Sequence, residues 1–416
     1  MIAALLLLAL AAAPPPGPTL TLAAALQRAK ANPQLVQALA AERAARQRLD
    51  EARAGYLPSA SASVGDSLSN SLSPQLGVGT EGGPANLFTS SLQLSETLWD
   101  FGRTKAAVDA ARAEARSTAA DTTLALADLV LNVKSAYFAA LASAALEQSA
   151  RENLASAAKH LEDAQARVEV GKNPPYDETK ARIDRGNAEL ALVQAQNGLQ
   201  LARAQLAHAI GQELDGAALV EPPAAAATLP SLAQAMTQAL AHRPELASLD
   251  AQLAADRAAV REAKAAYYPS LGASGEGAVR EFAAAGPVTS WAVGAAVSIP
   301  LLAGGADRAR VGEAEATLDG LEAARSTLVL DVKLDVQSAL IAVDGARQAA
   351  KVAADVVTEA KEGLALAEGR YDAGAGTIVE LTDAQAQLAT AKASAIKAGL
   401  DLAIARAKLA RSLGGS

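Results

Sequence analysis

The sequence predicts a mainly α-helical protein with a transmembrane β-barrel contribution. It is built from two tandem repeats, in which long coiled-coil helices are interrupted by a two-stranded β segment. Three observations support this fold class. The chain is internally duplicated, its helical segments carry seven-residue seams of leucine and alanine, and one segment of each copy alternates apolar and polar residues with a period of two.

The duplication is visible as two constant offsets between the halves of the chain. Pro33 corresponds to Pro244 at an offset of 211 residues, and after the strand-rich part Gly171 corresponds to Gly374 at an offset of 203. The offset changes where the second copy has the shorter loop. These correspondences divide the chain into a first repeat at 19–211, a linker at 212–230 and a second repeat at 231–414.

Composition narrows the class of protein. Of the 416 residues, 51% are hydrophobic but only 3% are aromatic, because alanine dominates the apolar residues, and this suits long helices that pack closely. The net charge of −8 argues against nucleic acid as a partner, because phosphate binding needs a basic face. The chain has no cysteine, so thiol chemistry and disulfides are excluded.

Residues 1–18 are predicted to be a signal peptide. Residues 1–13 are almost entirely leucine and alanine, and Pro14-Pro15-Pro16 follows them. This stretch is too short to span a bilayer but is typical of the apolar region of a signal peptide. No later stretch approaches about eighteen uninterrupted apolar residues, so we expect no transmembrane helix.

The helices are predicted from their seams. Each copy should contain one helix at its start, at 33–56 and 244–267, and a helical hairpin at its end, at 103–210 and 306–413. The seam residues of the last helix are Leu381, Leu388, Ala395, Leu402 and Leu409. A seven-residue repeat predicts a supercoiled helix pair, and alanine on the seam lets the helix axes approach closely. Because the first helix of each hairpin would be roughly 100 Å long, we expect a rod.

Glycines and capping residues predict the hairpin turns. Gly171 and Gly374 are expected to end the outgoing helices. Asn173 is predicted to cap the returning helix of the first copy, with Pro174 at its first position. In the second copy, Thr377 and Glu380 have the spacing of a capping box.

The strands are predicted from strict alternation. The segments expected to be strands lie at about 59–72, 87–99, 270–282 and 288–300. In the first of them Ala60, Ala62 and Val64 alternate with serines, so one face is apolar and the other is small and polar. This pattern and length suit strands that cross a membrane at a tilt around a wet lumen, although an ordinary sheet packed on the helices would alternate as well.

The number of strands has a consequence for assembly. A barrel needs about eight strands to close, and one chain offers four. Open sheet edges are not tolerated in lipid. If the strands cross a membrane, several copies of the chain must therefore share one barrel.

Several motifs resemble the TolC family of outer-membrane efflux ducts. The residues that carry the resemblance are Asn32-Pro33-Gln34-Leu35, Arg243-Pro244-Glu245-Leu246, Gly55-Tyr56-Leu57-Pro58-Ser59, Tyr267-Tyr268-Pro269-Ser270-Leu271, Leu98-Trp99-Asp100-Phe101-Gly102-Arg103, Leu301-Leu302-Ala303-Gly304-Gly305 and Arg370-Tyr371-Asp372-Ala373-Gly374. The resemblance implies a homotrimer in the outer membrane of a Gram-negative bacterium, with a twelve-stranded barrel in the lipid and a large periplasmic barrel of helical hairpins. It also implies a periplasmic adaptor (membrane fusion) protein and an inner-membrane transporter as partners.

The resemblance further implies a gate and a docking site at the hairpin tips. By position, the acids that close the periplasmic mouth fall on Glu380 and Asp383, with Asp177 as the matching acid in the first copy. A basic residue that links hairpins in some members would fall on Gly376, so that link is absent here or supplied otherwise. The position equivalent to Asp383 in the first copy is Lys180. The residues expected to contact the adaptor are Val170, Gly171, Lys172, Ala373, Gly374 and Ala375.

Catalytic signatures are not found in the sequence. His160, His208 and His242 are scattered without the spacing of metal ligands, and we expect no cofactor, no metal site and no enzymatic activity. The sequence therefore favours a passive exit duct that carries substrates from an inner-membrane pump across the periplasm and outer membrane. The alternatives are a periplasmic coiled-coil adaptor and a structural coiled-coil protein of the envelope.

Overall fold

The computed structural model describes residues 19–69, 85–214, 216–222, 229–282 and 286–415. The predicted signal peptide at 1–18 and the end of the first predicted strand at 70–72 lie outside the described residues. The chain is mainly helical, and it divides into two compact units. We call them the helical unit (residues of 1–38, 122–244 and 329–416) and the sheet unit (residues 39–121 and 245–328). Each unit contains segments of both repeats.

The elements of the first repeat and the linker follow one another in this order: β1 (Thr19–Leu20), α1 (Leu22–Ala29), α2 (Pro33–Ala54), β2 (Ser59–Ser69), β3 (Ala85–Trp99), α3 (Arg103–Glu169), α4 (Pro175–Ile210) and β4 (Ala218–Leu219). The elements of the second repeat are α5 (Leu232–His242), α6 (Pro244–Ala265), β5 (Ser270–Phe282), β6 (Gly286–Ser298), α7 (Ala306–Asp372) and α8 (Ile378–Ser412). α3 and α7 each contain 67 residues.

Several bounds differ from those read off the sequence. Helices α2 and α6 end two residues before the expected positions, because tight turns follow them: the amide of Tyr56 bonds the carbonyl of Arg53 at 3.0 Å, and that of Tyr268 bonds the carbonyl of Ala265 at 3.1 Å. β6 ends at Ser298, two residues before Pro300, whose missing N–H does not suit a ladder. The short elements α1, α5, β1 and β4 were not anticipated.

The sheet unit contains a four-stranded antiparallel sheet in the order β2-β3-β5-β6. The register places Ala62, Leu92, Gly277 and Trp291 in one row on one face. Apolar residues of this face are exposed in the protomer, most strongly Trp291 (82%) and Val293 (80%). Serines line part of the opposite face, where the hydroxyls of Ser59 and Ser95 lie 2.8 Å apart, as do those of Ser63 and Ser91.

The core of the helical unit is organised around Tyr137 of α3, which is fully buried. Its hydroxyl lies 2.8 Å from the carbonyl oxygen of Leu20 and 2.7 Å from that of Val220, and it accepts a hydrogen bond from the Val220 amide at 3.1 Å. Tyr137 thereby connects α3 to β1 and to the residue that follows β4. The strands β1 and β4 pair with each other in parallel.

Both copies use the same contact to join the first helix to the returning helix of the hairpin. The side-chain amide of Asn32, immediately before Pro33, donates to the carbonyl of Ala209 in α4 at 3.0 Å. Arg243, immediately before Pro244, donates from Nε to the carbonyl of Ser412 in α8 at 2.8 Å. These pairs correspond under the two sequence offsets, so the duplication extends to individual hydrogen bonds.

A glycine follows each of these returning helices. Gly211 and Gly414 have φ of +79° and +81°, which favours glycine. A Cβ on Gly414 would lie 2.7 Å from the backbone carbon of His242, and a Cβ on Gly211 would lie 3.2 Å from the Cα of Asn32. In both copies, the lack of a side chain lets the chain pass closely beside the residues that precede the prolines.

Within the described residues, one helix, α3, contains a stretch long and apolar enough by length and composition to cross a membrane. The sequence had indicated none, because charged residues interrupt the apolar runs. Leu129, Val133 and Tyr137 of α3 are buried in the core of the helical unit. A core helix meets the same two criteria, so this finding does not place α3 in a membrane.

We expect Tyr137→Phe to lower the free energy of unfolding by about 1–3 kcal/mol, because phenylalanine cannot replace the hydrogen bonds that the buried Tyr137 hydroxyl makes with Leu20 and Val220. Thermal unfolding of the detergent-purified protein measures the change. Tyr176→Phe, at an exposed tyrosine, is the matched control and should leave the melting temperature unchanged. Equal melting temperatures for both variants would contradict the role assigned to Tyr137.

Candidate functional site: the two hairpin tips

The two hairpins of the helical unit end in turns of the same construction. Gly171 and Gly374 have φ of +72° and +69°, as expected for glycines that end a helix. The Lys172 amide bonds the carbonyl of Arg167 at 2.9 Å, and the Ala375 amide bonds that of Arg370 at 2.8 Å. These backbone bonds close the last turns of α3 and α7 and fix the directions in which α4 and α8 return.

The capping of the returning helices differs between the copies. In the second, the Thr377 hydroxyl accepts from the Glu380 amide at 3.2 Å, as the capping-box spacing predicts. In the first, the prediction of Asn173 as the cap was wrong: Pro174 occupies that position and makes no side-chain cap bond, with Pro175 opening the helix. The side chain of Asn173 bonds other partners instead.

Arg167 connects the first tip to the second. Its guanidinium donates to Oδ1 of Asp372 at 2.6 Å and to the carbonyl oxygen of Tyr371 at 3.2 Å. The same group lies over the Tyr371 ring, 4.7 Å from its centre. A guanidinium can donate to a carboxylate and a carbonyl and stack on an aromatic ring at the same time, because it is planar and carries five N–H donors.

A second, more buried contact joins the tips through Asn173. Its side-chain amide donates to Oδ2 of Asp177 at 2.7 Å and to the hydroxyl oxygen of Tyr371 at 3.0 Å. Asp177 is 7% exposed and Tyr371 is 6% exposed. We call Arg167, Asn173, Asp177, Tyr371 and Asp372 the tip link.

The phenol of Tyr371 is neutral within the tip link. Burial raises its pKa above the usual value, and the nearby carboxylate of Asp177 raises it further, against the opposing effects of Arg167 and Asn173. A neutral phenol keeps its proton while its oxygen accepts from Asn173. Tyr371 therefore stays protonated throughout the physiological pH range.

The expected gate acids have different surroundings. Asp177 is buried in the tip link. Glu380 is exposed, and its carboxylate lies 3.5 Å from the guanidinium of Arg370 on the same hairpin. Asp383 is exposed less than one turn further along α8. Lys180, the counterpart of Asp383, pairs with Asp184 at 2.6 Å on its own helix.

Gly376 stands where the family resemblance placed a basic residue in some members, and the geometry of the turn is suited to glycine. A Cβ at this position would lie 3.0 Å from the Cβ of Arg370 and 3.1 Å from the Tyr371 amide nitrogen, so the turn leaves little room for a side chain. Within the described residues, Arg167 supplies a basic link between the hairpins from the other side. The sequence had left open whether such a link existed.

The six residues expected to contact an adaptor are all exposed at the two turns: Val170, Gly171, Lys172, Ala373, Gly374 and Ala375. The contribution of Arg167, Asn173 and Tyr371 was not recognised from the sequence. Tyr371 stood in a motif that carried the family resemblance, so its position was a signal, but its partners lie about 200 residues away in the chain. In the part of the chain that the structure describes, no group of three metal-ligating residues was found.

Comparison with known proteins identifies a matching family. The family model described as "Outer membrane efflux protein" matches residues 24–212 and 235–415. The pyoverdine export outer membrane protein OpmQ of Pseudomonas aeruginosa is 26% identical over 400 residues, which is 94% of this chain and 84% of OpmQ. The outer membrane protein TolC of Escherichia coli is 24% identical over 408 residues, which is 92% of this chain and 80% of TolC.

Other similarities are shorter or structural. The match to nodulation protein T of Rhizobium leguminosarum bv. trifolii is 29% identical but spans 38% of this chain and 34% of that protein. A membrane protein from Pseudomonas aeruginosa has the same fold with a TM-score of 0.84 at 23% identity, covering 94% and 93% of the two chains. The outer membrane protein VceC of Vibrio cholerae has a TM-score of 0.81 at 21% identity, covering 95% and 96%.

We expect Arg167→Met to loosen both tips, because the only change is loss of the guanidinium that connects them. Hydrogen exchange of the backbone amides at 170–177 and 371–380 should become about fivefold faster, in keeping with about 1 kcal/mol for a partly exposed charged contact. Arg182→Met is the control, since Arg182 pairs with Glu178 on its own helix. Faster exchange at the first tip alone would contradict a link between the hairpins.

Proposed function

The chain belongs to the outer membrane efflux protein family, and on this premise we propose that it is the exit duct of a tripartite efflux or type I secretion system. In this role it conducts substrates passively from an inner-membrane pump across the periplasm and the outer membrane. The observation that carries the proposal is a four-stranded sheet with an exposed apolar face and two open edges, in a chain that also contains two long helical hairpins.

The apolar face of the sheet supports contact with lipid. Its large apolar side chains alternate along the strands with polar or small residues and are between 40% and 82% exposed in the single chain. They are Val64, Leu92, Val279, Trp291 and Val293. An exposed apolar surface of this kind marks an interaction site. Trp99, Phe101 and Tyr268 form a group of contacting rings beside the ends of β3 and β5, as in the aromatic girdles at membrane surfaces.

The open edges support a trimer. β2 and β6 stand at opposite ends of the sheet, and each has one neighbouring strand. Joining β6 of one protomer to β2 of the next would satisfy the unpaired backbone groups, which lipid requires. Three copies of four strands give about twelve, enough for a barrel with an open lumen. The boundaries of repeats, linker and signal peptide read off the sequence are part of this proposal.

The helical unit offers a second surface for neighbouring copies. Exposed apolar residues lie along α4 and along α7. On α4 they are Ile183, Leu190, Val193 and Leu201, and on α7 they are Leu330, Leu334, Ile341, Val352, Val356 and Leu366. Inside the protomer, α8 already contacts α3 through Lys392–Glu152 at 2.9 Å. Because α4 corresponds to α8 and α7 to α3, the repeated contact between protomers would join α4 to α7.

The tips provide the gate and the docking site in this proposal. The tip link holds the two hairpins of a protomer together, so its release lets the mouth open. Glu380 and Asp383 of three protomers would place six carboxylates at the mouth, where they attract cations. The six exposed tip residues would meet a periplasmic adaptor, which brings the inner-membrane transporter into the assembly.

The test of the duct is the oligomeric mass of the detergent-purified protein together with its conductance in planar bilayers. We expect a trimer with small, flickering, cation-selective currents. A water-soluble species that never inserts would overturn the proposal and leave the adaptor or the coiled-coil rod.

A variant of the α7 surface separates assembly from insertion. Leu334→Glu with Ile341→Glu places charges on the apolar surface of α7, and we expect loss of the trimer. Thr358→Glu, at an exposed polar residue of the same helix that is not part of the apolar set, is the control and should remain trimeric. A trimer of unchanged stability in the double variant would show that this surface is not the contact between protomers.

We expect Glu380→Ala with Asp383→Ala to make the closed pore leakier to cations, because Arg370 loses its carboxylate partner and the turn at the mouth loosens. Without the carboxylates that attract cations, the leak should also be less selective for cations over anions. Single-channel conductance and cation selectivity in planar bilayers measure the effect. Asp401→Ala removes an exposed acid of the same helix far from the turn and is the control. Unchanged conductance and selectivity of the double variant would exclude a gate at these two residues.

A further inference from the structure

The duplication points to a ligand site at the contact between α2 and α4. A pocket in the helical unit is lined by residues from the start of α2, from α3 and from the end of α4, namely Asn32, Pro33, Gln34, Leu129, Asn132, Ala207, His208, Ala209, Gly211, Gln212 and Glu213. Asn32, Asn132 and Ala209 correspond to Arg243, Asp335 and Ser412 of the second copy. Those three residues form one bonded group there.

In the second copy the corresponding position holds a guanidinium. Arg243 donates from Nε to the Ser412 carbonyl at 2.8 Å and from Nη1 to Oδ2 of Asp335 at 3.0 Å. The Arg243 side chain is only 5% exposed. The carbonyl end of α8 and one carboxylate thus bind a nearly buried cation, as the charge distribution of a helix C-terminus favours.

In the first copy a shorter side chain makes part of this contact. The amide of Asn32 bonds the Ala209 carbonyl at 3.0 Å, as Nε of Arg243 does with Ser412. Asparagine ends at this amide, so the Asn32 side chain has no counterpart to the distal part of the arginine. The pocket lies where that part of the side chain would extend, among the equivalents of its partners.

The pocket also contains a negative group, which comes from a different position than Asp335. Asn132 replaces the carboxylate of Asp335 with an amide, which still offers an acceptor oxygen. Glu213, just after α4, adds a carboxylate to the lining. The pocket therefore combines a helix C-terminus, an amide oxygen and a carboxylate, which together suit a planar cation with several N–H donors.

We propose that this pocket binds a small guanidinium compound, in the position that the Arg243 side chain occupies in the second copy. The site lies within the helical unit and is independent of the barrel, the gate and the proposed transport. Binding connects α2, α3 and α4 as the Arg243 side chain connects α6, α7 and α8. It should therefore stabilise the first repeat.

The experiment is a titration of the detergent-purified full chain with methylguanidinium at low millimolar concentration, at a pH near 8 where methylguanidinium is fully protonated. The melting temperature should rise and saturate with methylguanidinium. It should not rise with tetramethylammonium at equal concentration, which has the same charge and no N–H donor. Equal responses to the two cations would overturn the proposal.

Two variants locate the site. Glu213→Gln should weaken methylguanidinium binding about tenfold, by loss of one charge-assisted contact. Asn32→Arg with Asn132→Asp transfers the arginine–aspartate pair into the first copy, and should raise the melting temperature and abolish the response to methylguanidinium. If that double variant does not fold, Glu213→Gln remains the test. A response that is unchanged by Glu213→Gln would place binding elsewhere.

The second copy provides a positive control. Arg243→Ala removes the resident guanidinium and should lower the melting temperature, and methylguanidinium should restore part of the loss. Rescue of this variant together with an unresponsive wild type would show that the second copy can accept the probe and the first cannot, which would overturn the proposal.

Discussion

One hydrogen bond in each repeat holds the start of the first helix against the end of the returning helix. The residue before a proline reaches a carbonyl near the end of the returning helix, from Asn32 to Ala209 and from Arg243 to Ser412. The proline cannot donate from its own nitrogen, so it starts the helix, and the preceding side chain is free to bond the other helix. The helical unit depends on this contact at the starts of α2 and α6 and at the ends of α4 and α8.

The two tips are similar in backbone and different in their side-chain contacts. Both turns use a glycine of positive φ and the same backbone bonds. The side-chain contacts are not symmetric: Arg167 and Asn173 on the first tip donate to Tyr371 and Asp372 on the second. The first copy has Val168 and Glu169 where the second has Tyr371 and Asp372, so the aromatic partner of Arg167 exists on one tip alone.

The sheet of a single chain leaves a large apolar face exposed. Its four strands pair in one antiparallel order, and one face exposes large apolar side chains that a water-soluble monomer would cover. Exposed apolar residues on α4 and α7 present the same situation in the helical unit. Both exposed surfaces support the proposed assembly, in which lipid would cover the apolar face of the sheet and neighbouring protomers would cover α4 and α7.

The sequence by itself determined the family, the mainly helical class and the approximate course of the long helices and strands. These features depend on local periodicity and on constant offsets between the two copies, and both can be read directly from one sequence. Tertiary structure alone decided the partners of Arg167, Asn173 and Tyr371, the cap at Pro174 and the burial of Asp177. The contacts of Arg167 and Asn173 with Tyr371 and Asp372 join residues about 200 apart in the chain, and packing between such distant segments leaves no periodic pattern in the sequence.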